Sequence, residues 1–112
     1  MPAEGDRYNV IAEIHCAPNP PGNDQSQYAH IEAAIALAQQ SGLTFEVGAL
    51  GTTFEGTPDQ VWQLLRRMHE STLESGAQSI ITNIRIGQRN GDDVAVMDDL
   101  VAPFRRLSSA QQ

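Results

Sequence analysis

Leu43-Thr44-Phe45-Glu46-Val47-Gly48-Ala49-Leu50-Gly51-Thr52-Thr53-Phe54-Glu55-Gly56-Thr57-Pro58-Asp59-Gln60 carries two strands, their turn and a helix start. Phe45 and Val47 alternate with Thr44 and Glu46, and Phe54 alternates with Thr53 and Glu55. That period of two marks half-buried strands. Gly48 to Gly51 is short and glycine-bounded, so the two strands read as an antiparallel hairpin. Thr57 then caps a helix, Pro58 takes its first position, and Gln60 completes a capping box. Val61, Leu64, Leu65, Met68 and Thr72 follow at helical spacing, and Gly76 ends the run.

Working outward, residues 9–16 alternate, with Val10, Ala12, Ile14 and Cys16 on one face and Ile11, Glu13 and His15 on the other. Pro18, Pro20 and Pro21 are expected to stop this strand, because proline lacks the ladder donor. Residues 25–40 place Tyr28, Ile31, Ile35 and Ala38 at helical spacing, and Gly42 follows as a left-handed cap. Residues 78–86 alternate again: Ile80, Thr82, Ile84 and Ile86 against Ile81, Asn83 and Arg85. Residues 88–93 read as a loop. A last helical piece carries Met97, Leu100, Val101 and Phe104, with a break expected before Pro103.

The order is strand, helix, strand, strand, helix, strand, then an added helix. This predicts an α+β fold: a four-stranded antiparallel sheet, two helices on one face, plus a C-terminal helix. The chain has 112 residues, enough for one domain over 1–112. Residues 1–8 and 108–112 are expected to fray.

Fourteen acids oppose seven bases, giving a net charge of −7, and every base is an arginine. Nucleic-acid binders carry a basic face, so that partner class is set aside; a cationic ligand suits this chain better. No apolar run reaches the roughly 20 residues of a membrane span. The polar N-terminus has no secretory core, and the lone Cys16 excludes an internal disulfide. Those features point to the cytoplasm.

Alternation assigns the faces. Val10, Ala12, Ile14, Phe45, Val47, Phe54, Ile84 and Ile86 belong under the helices. Ile11, Glu13, His15, Glu46, Thr53, Glu55, Ile81, Asn83 and Arg85 belong to the uncovered face. One bland explanation is a solvated face with paired charges. The sharper one is a polar pocket within an oligomer interface, since exposed isoleucines on an open sheet call for a partner. Three glutamates there favour a cation with hydrogen-bond donors. A one-residue slip or a bulge at Gly51 would bring Thr52 onto this face instead of Thr53.

Other groups read as structural. His15 and Cys16 are adjacent, so on a strand they point to opposite sides. Cys16 reads as a small core residue. His69 sits beside the buried stripe as a structural histidine, and His30 is placed on the surface of the first helix. Trp62 belongs at a helix edge. Neither the histidines nor the cysteine shows metal-ligand spacing.

The strings Gly42-Leu43-Thr44-Phe45-Glu46-Val47-Gly48, Gly51-Thr52-Thr53-Phe54-Glu55-Gly56 and Met68-His69-Glu70 together resemble a family of small thiamine-binding proteins. Gly76-Ala77, the strand with Asn83 and Arg85, Arg89, and the early Pro18 and Gly22 fit the same pattern. The resemblance covers roughly residues 9–106. It departs at Asn19-Pro20-Pro21 and at His15. It implies a ferredoxin-like subunit assembling as a homotetramer, a dimer of dimers. It further implies thiamine or its pyrimidine part bound near subunit interfaces, without turnover and with no cofactor beyond that ligand. The residues expected to bind it are Glu55, Thr52, Thr53, Glu46, Asn83, Arg85 and His15, with Glu55 leading. Two readings of other classes stand beside this one. The first is a cofactorless enzyme using His15 and Glu13 as acid and base; the second is a structural or regulatory oligomer.

Overall fold

The computed structural model describes residues 10–88. The C-terminal helix, Arg89 and the two frayed ends expected from the sequence lie outside those residues. The elements are β1 (Val10–Asn19), α1 (Ala29–Gln40), β2 (Thr44–Val47), β3 (Thr52–Gly56), α2 (Pro58–Ser75) and β4 (Ser79–Gln88). The sheet has the order β2-β3-β1-β4, antiparallel throughout, and both helices pack chiefly over β1. This is the ferredoxin-like βαββαβ arrangement expected from the sequence.

The α2 start is built as its sequence requires. Gln60 N–H donates to Thr57 Oγ1 at 3.4 Å, and Thr57 N–H donates to Gln60 Oε1 at 3.0 Å. The other end closes on Gly76, whose φ of +126° is accessible to glycine. A Cβ there would also lie 3.1 Å from His30 Cε1. Val61, Leu64, Leu65, Met68 and Thr72 are buried as expected, and they close on Val10, Ala12, Ile14 and Phe54 from the sheet.

Four details differ from the sequence reading. β1 does not stop at its first proline: it continues through a buried Pro18 to Asn19, paired with β4 down to Ser79. β3 accompanies β1 only as far as Ile14, so beyond that point one edge of β1 has no strand partner. A missing donor is tolerated on such an edge. β4 likewise continues past Ile86 to Gln88, opposite Val10.

α1 starts at Ala29 rather than near Gln25. Asn23 Oδ1 accepts from the N–H groups of Gln25 and Ser26 at 3.0 and 2.9 Å, holding that stretch in a local turn. The buried stripe of α1 is then His30, Ala34 and Ala38, while Tyr28 is exposed. His30 is thus not a surface residue: it is 3% exposed and its Nδ1 lies 2.5 Å from Ser75 Oγ on α2. Small residues at the next two positions let the helices approach closely enough to enclose it.

Candidate functional site

The register puts every residue of the open face where alternation placed it, and aligns them in rows. One row crosses the whole sheet as Glu46, Thr53, Glu13 and Arg85. The next row toward the β2–β3 turn pairs His15 with Asn83. The row on the other side holds Thr44, Glu55 and Ile11. Three carboxylates against Arg85 leave this patch acidic. Ile81 stands on the same face, 71% exposed.

Thr52 is separated from that group. It pairs with Ile14, shares the inward phase of Phe54 and is 4% exposed. No bulge intervenes: Gly48 N–H donates to Gly51 C=O at 2.8 Å, and the strand pairs begin directly after it. Gly51 fixes the approach, since a Cβ there would lie 3.0 Å from the Ile14 carbonyl oxygen and 3.3 Å from Glu13 Cγ. Thr53, not Thr52, therefore faces outward.

Thr52 lines a cavity of about 160 Å³ between α1 and the sheet, roofed by the β2–β3 turn. Ile14 and Cys16 form its floor, Ile31 and Ile35 its helical wall, with Met68 behind. Every fully buried side-chain oxygen among the described residues has a hydrogen-bond partner. The Thr52 hydroxyl has none, so on so buried a residue it must open into the space it lines. Gly51 and the exposed His15 also border the cavity. At that rim the cavity and the acidic face meet, with Glu13 packed beside Gly51.

Behind the cavity, Cys16 is half-buried and burial pushes its thiol up from the ordinary range, partly offset by a hydrogen bond with Thr82. Thr82 Oγ1 in turn lies 2.6 Å from His69 Nδ1. His69 is the structural histidine expected from its place on the helix flank. Trp62 is 55% exposed and borders, with His69 and Thr82, a groove on the far side of α2.

The sequence did not reveal the cavity. Cys16 and Thr82 each fall in an alternating stretch, but nothing in one-dimensional spacing pairs them. Among the described residues no group of three His, Cys, Asp or Glu side chains is placed to hold a metal ion. No helix there is long and apolar enough to cross a membrane.

The described residues thus form an α+β fold with a cavity of about 160 Å³ at one end of an acidic sheet face. The family described as thiamine-binding protein matches residues 12–104, and the chain belongs to it. A UPF0045 protein of Clostridium perfringens is 29% identical over 100 residues, covering 89% of this chain and 99% of its own. A second UPF0045 protein, from Synechocystis, is 31% identical over 93 residues, covering 83% of this chain and 74% of its own. Among solved structures, a domain of unknown function (DUF77) from Bacillus cereus superposes with a TM-score of 0.75 at 29% identity. It covers 87% of this chain and 90% of that one. A candidate thiamine biosynthesis/salvage protein from Thermotoga maritima superposes with a TM-score of 0.69 at 21% identity. The match covers 87% of this chain and 99% of that one, and shows the shared fold.

Proposed function

We propose that this chain binds thiamine, or the aminopyrimidine part of it, without turning it over. The observation that carries the reading is the cavity lined by Thr52. Its volume of about 160 Å³ is that of one six-membered ring: an apolar protein cavity of about 150 Å³ accepts benzene. Apolar walls take the flat faces of an aminopyrimidine, and the Thr52 hydroxyl meets one polar edge.

Thiamine carries a second, cationic ring on a one-carbon link. With the first ring in the cavity, the rim at Gly51 and His15 leads the second onto the acidic face. There Glu13 and Glu46, in the row next to that rim, supply negative charge, with Thr53, Asn83 and Arg85 around them. Glu55 lies one row further off and contributes less than the sequence led us to expect. The exposed Ile81 on this face supports burial against further copies of the chain, in a cytoplasmic homotetramer built as two dimers.

Titration calorimetry with thiamine, its phosphates and the free aminopyrimidine tests the reading. Saturable binding of thiamine and of the pyrimidine is expected, with both recovered chemically unchanged after prolonged incubation. Absence of binding by either would remove the assignment. Conversion of either ligand would instead favour the acid–base enzyme with His15 and Glu13.

A further inference from the structure

We propose that the closed end of the cavity is a methyl subsite formed by Ile14, Ala34 and Met68, and that Met68 sets its depth. The subsite selects 4-aminopyrimidines that carry a methyl group opposite the linkage carbon. It rejects the 2-oxo pyrimidines of the nucleobase class and rings with longer alkyl groups. This deepens the binding reading above and rests on it.

Burial orders the cavity from its mouth to its closed end. His15, Val47 and Leu50 border it and are exposed. Ile14, Ala34, Thr52 and Met68 border it and are buried, so they form the closed end. Three of these four side chains are hydrocarbon or thioether. The fourth brings the hydroxyl that makes no protein hydrogen bond. An apolar recess beside a single O–H matches one kind of ligand edge: a methyl-bearing carbon flanked by ring nitrogens. The aminopyrimidine of thiamine has that edge at C2. Across the ring stands C5, which carries the link to the cationic ring. With C5 at the mouth, the methyl reaches the closed end and a ring nitrogen accepts from the Thr52 hydroxyl.

The three apolar walls differ in what they can yield. Ile14 is held in β1 between Thr52 of β3 and Ile84 of β4. Ala34 already has the shortest side chain an L-residue can offer. Met68 is long, unbranched and adaptable, so its reach fixes the depth. A cytosine-type ring brings a carbonyl at C2 and an N–H beside it. The Thr52 hydroxyl serves one of them, and the other is left unpaired against the apolar walls, which weakens binding.

Calorimetry with one ligand series tests the subsite. Each member keeps the 4-amino and 5-hydroxymethyl groups, and position 2 carries methyl, hydrogen, propyl or the oxo group of 5-hydroxymethylcytosine. On the parent protein the 2-methyl compound should bind best. Losing the methyl should weaken binding about fourfold, the worth of one buried carbon group. The oxo compound should bind at least about fivefold more weakly, as one unpaired buried polar group requires. The propyl compound should also bind more weakly, for want of room. Met68→Ala opens the closed end, so there the propyl compound should bind about 15-fold more tightly than the methyl compound, at about fourfold per methylene. Met68→Leu conserves volume and should keep the parent order. A purely structural role for Met68 would not reverse a ligand preference. Equal affinities of the parent for the methyl, hydrogen and oxo compounds would overturn the subsite while leaving ring binding intact. An unchanged preference for methyl over propyl in Met68→Ala, with folding confirmed by circular dichroism, would overturn the role of Met68. Should that variant fail to fold, Met68→Val carries the same comparison with a smaller expected reversal. A parent that binds neither thiamine nor the 2-methyl compound would overturn the binding reading, and the subsite with it.

Discussion

His30 Nδ1 on α1 lies 2.5 Å from Ser75 Oγ on the last turn of α2, with the Gly76 backbone against the imidazole ring. One polar contact thus ties the start of one helix to the end of the other. Ser75→Ala removes the partner of a ring nitrogen on a residue only 3% exposed. The cost of such an orphaned group is about 1–3 kcal/mol. Chemical denaturation should show that loss with an unchanged slope, and an unchanged midpoint would mean the contact contributes nothing.

Thr57→Ala tests the capping box at the start of α2. The threonine hydroxyl accepts from Gln60 N–H, and losing an N-cap of this kind costs about 1 kcal/mol. Gln60→Ala should cost less, because it removes the reciprocal bond at the exposed Thr57 N–H and leaves the hydroxyl in place. Midpoints measured for both variants in urea check the order.

Burial of the Cys16 thiol has a consequence for stability against pH. Its pKa is raised in the folded state, so the folded protein holds that proton more tightly than the unfolded chain. The stabilisation is full below the ordinary thiol pKa and falls as pH climbs through the raised value. Cys16→Ser should therefore lose less stability than the parent between neutral and strongly alkaline pH. Parallel stability curves for the two proteins would contradict the shift.

Much of this fold was legible because its signals are local. Thr57-Pro58-Asp59-Gln60 carries its own geometry, and strict alternation separates the two faces of the sheet, but of the residues expected under the helices Phe45, Val47, Ile84 and Ile86 are left exposed, because the helices pack chiefly over β1. Pro18 misled because a proline's cost depends on whether the neighbouring edge is paired, which is a property of β3 and not of β1. His30 misled because a histidine at helical spacing beside alanines looks solvated until a second helix supplies Ser75. The candidate site was half legible for the same reason. Glu13, Glu46 and Thr53 could be put on one face by counting. The cavity arises where β1, α1 and the β2–β3 turn converge, and no stretch of sequence contains all three. Thr52 and Thr53 illustrate the limit: one step of register decides which lines the cavity, and only the Ile14–Thr52 pairing fixes it.

The exposed isoleucine on the open face gives a prediction about assembly. Ile81 is 71% exposed on the face that also holds Ile11, and an interface built there would bury both. Ile81→Asp places a charge in that interface without touching the core, so the assembly should fall apart while each subunit stays folded. Light scattering is expected to give the mass of four chains for the parent and fewer for the variant. A parent that scatters as a single chain at micromolar concentration would remove the tetramer.

The two halves of the proposed site can be separated with two substitutions and two ligands. Thr52→Val keeps the side-chain shape and removes a hydroxyl that no protein group bonds. The unliganded protein should be about as stable, because that hydroxyl opens into the cavity and makes no protein hydrogen bond. Binding should weaken by about 2- to 12-fold, the worth of one neutral hydrogen bond of 0.5–1.5 kcal/mol. Thiamine and the free aminopyrimidine should suffer alike, since both present the same ring to the cavity. Glu13→Gln removes a carboxylate at the rim and leaves the cavity intact. An exposed charge pair contributes up to about 1 kcal/mol, so thiamine should bind about 5-fold more weakly while the neutral pyrimidine is unaffected. The thiamine effect should shrink as salt is raised, because the interaction is screened. Glu55→Gln, one row further from the rim, should weaken thiamine less than Glu13→Gln does. Calorimetry on the three variants decides among the placements. Equal losses for both ligands in Glu13→Gln would mean the carboxylate holds the pyrimidine ring itself. A dominant effect of Glu55→Gln, with Thr52→Val unchanged, would move the ligand out of the cavity and onto the open face.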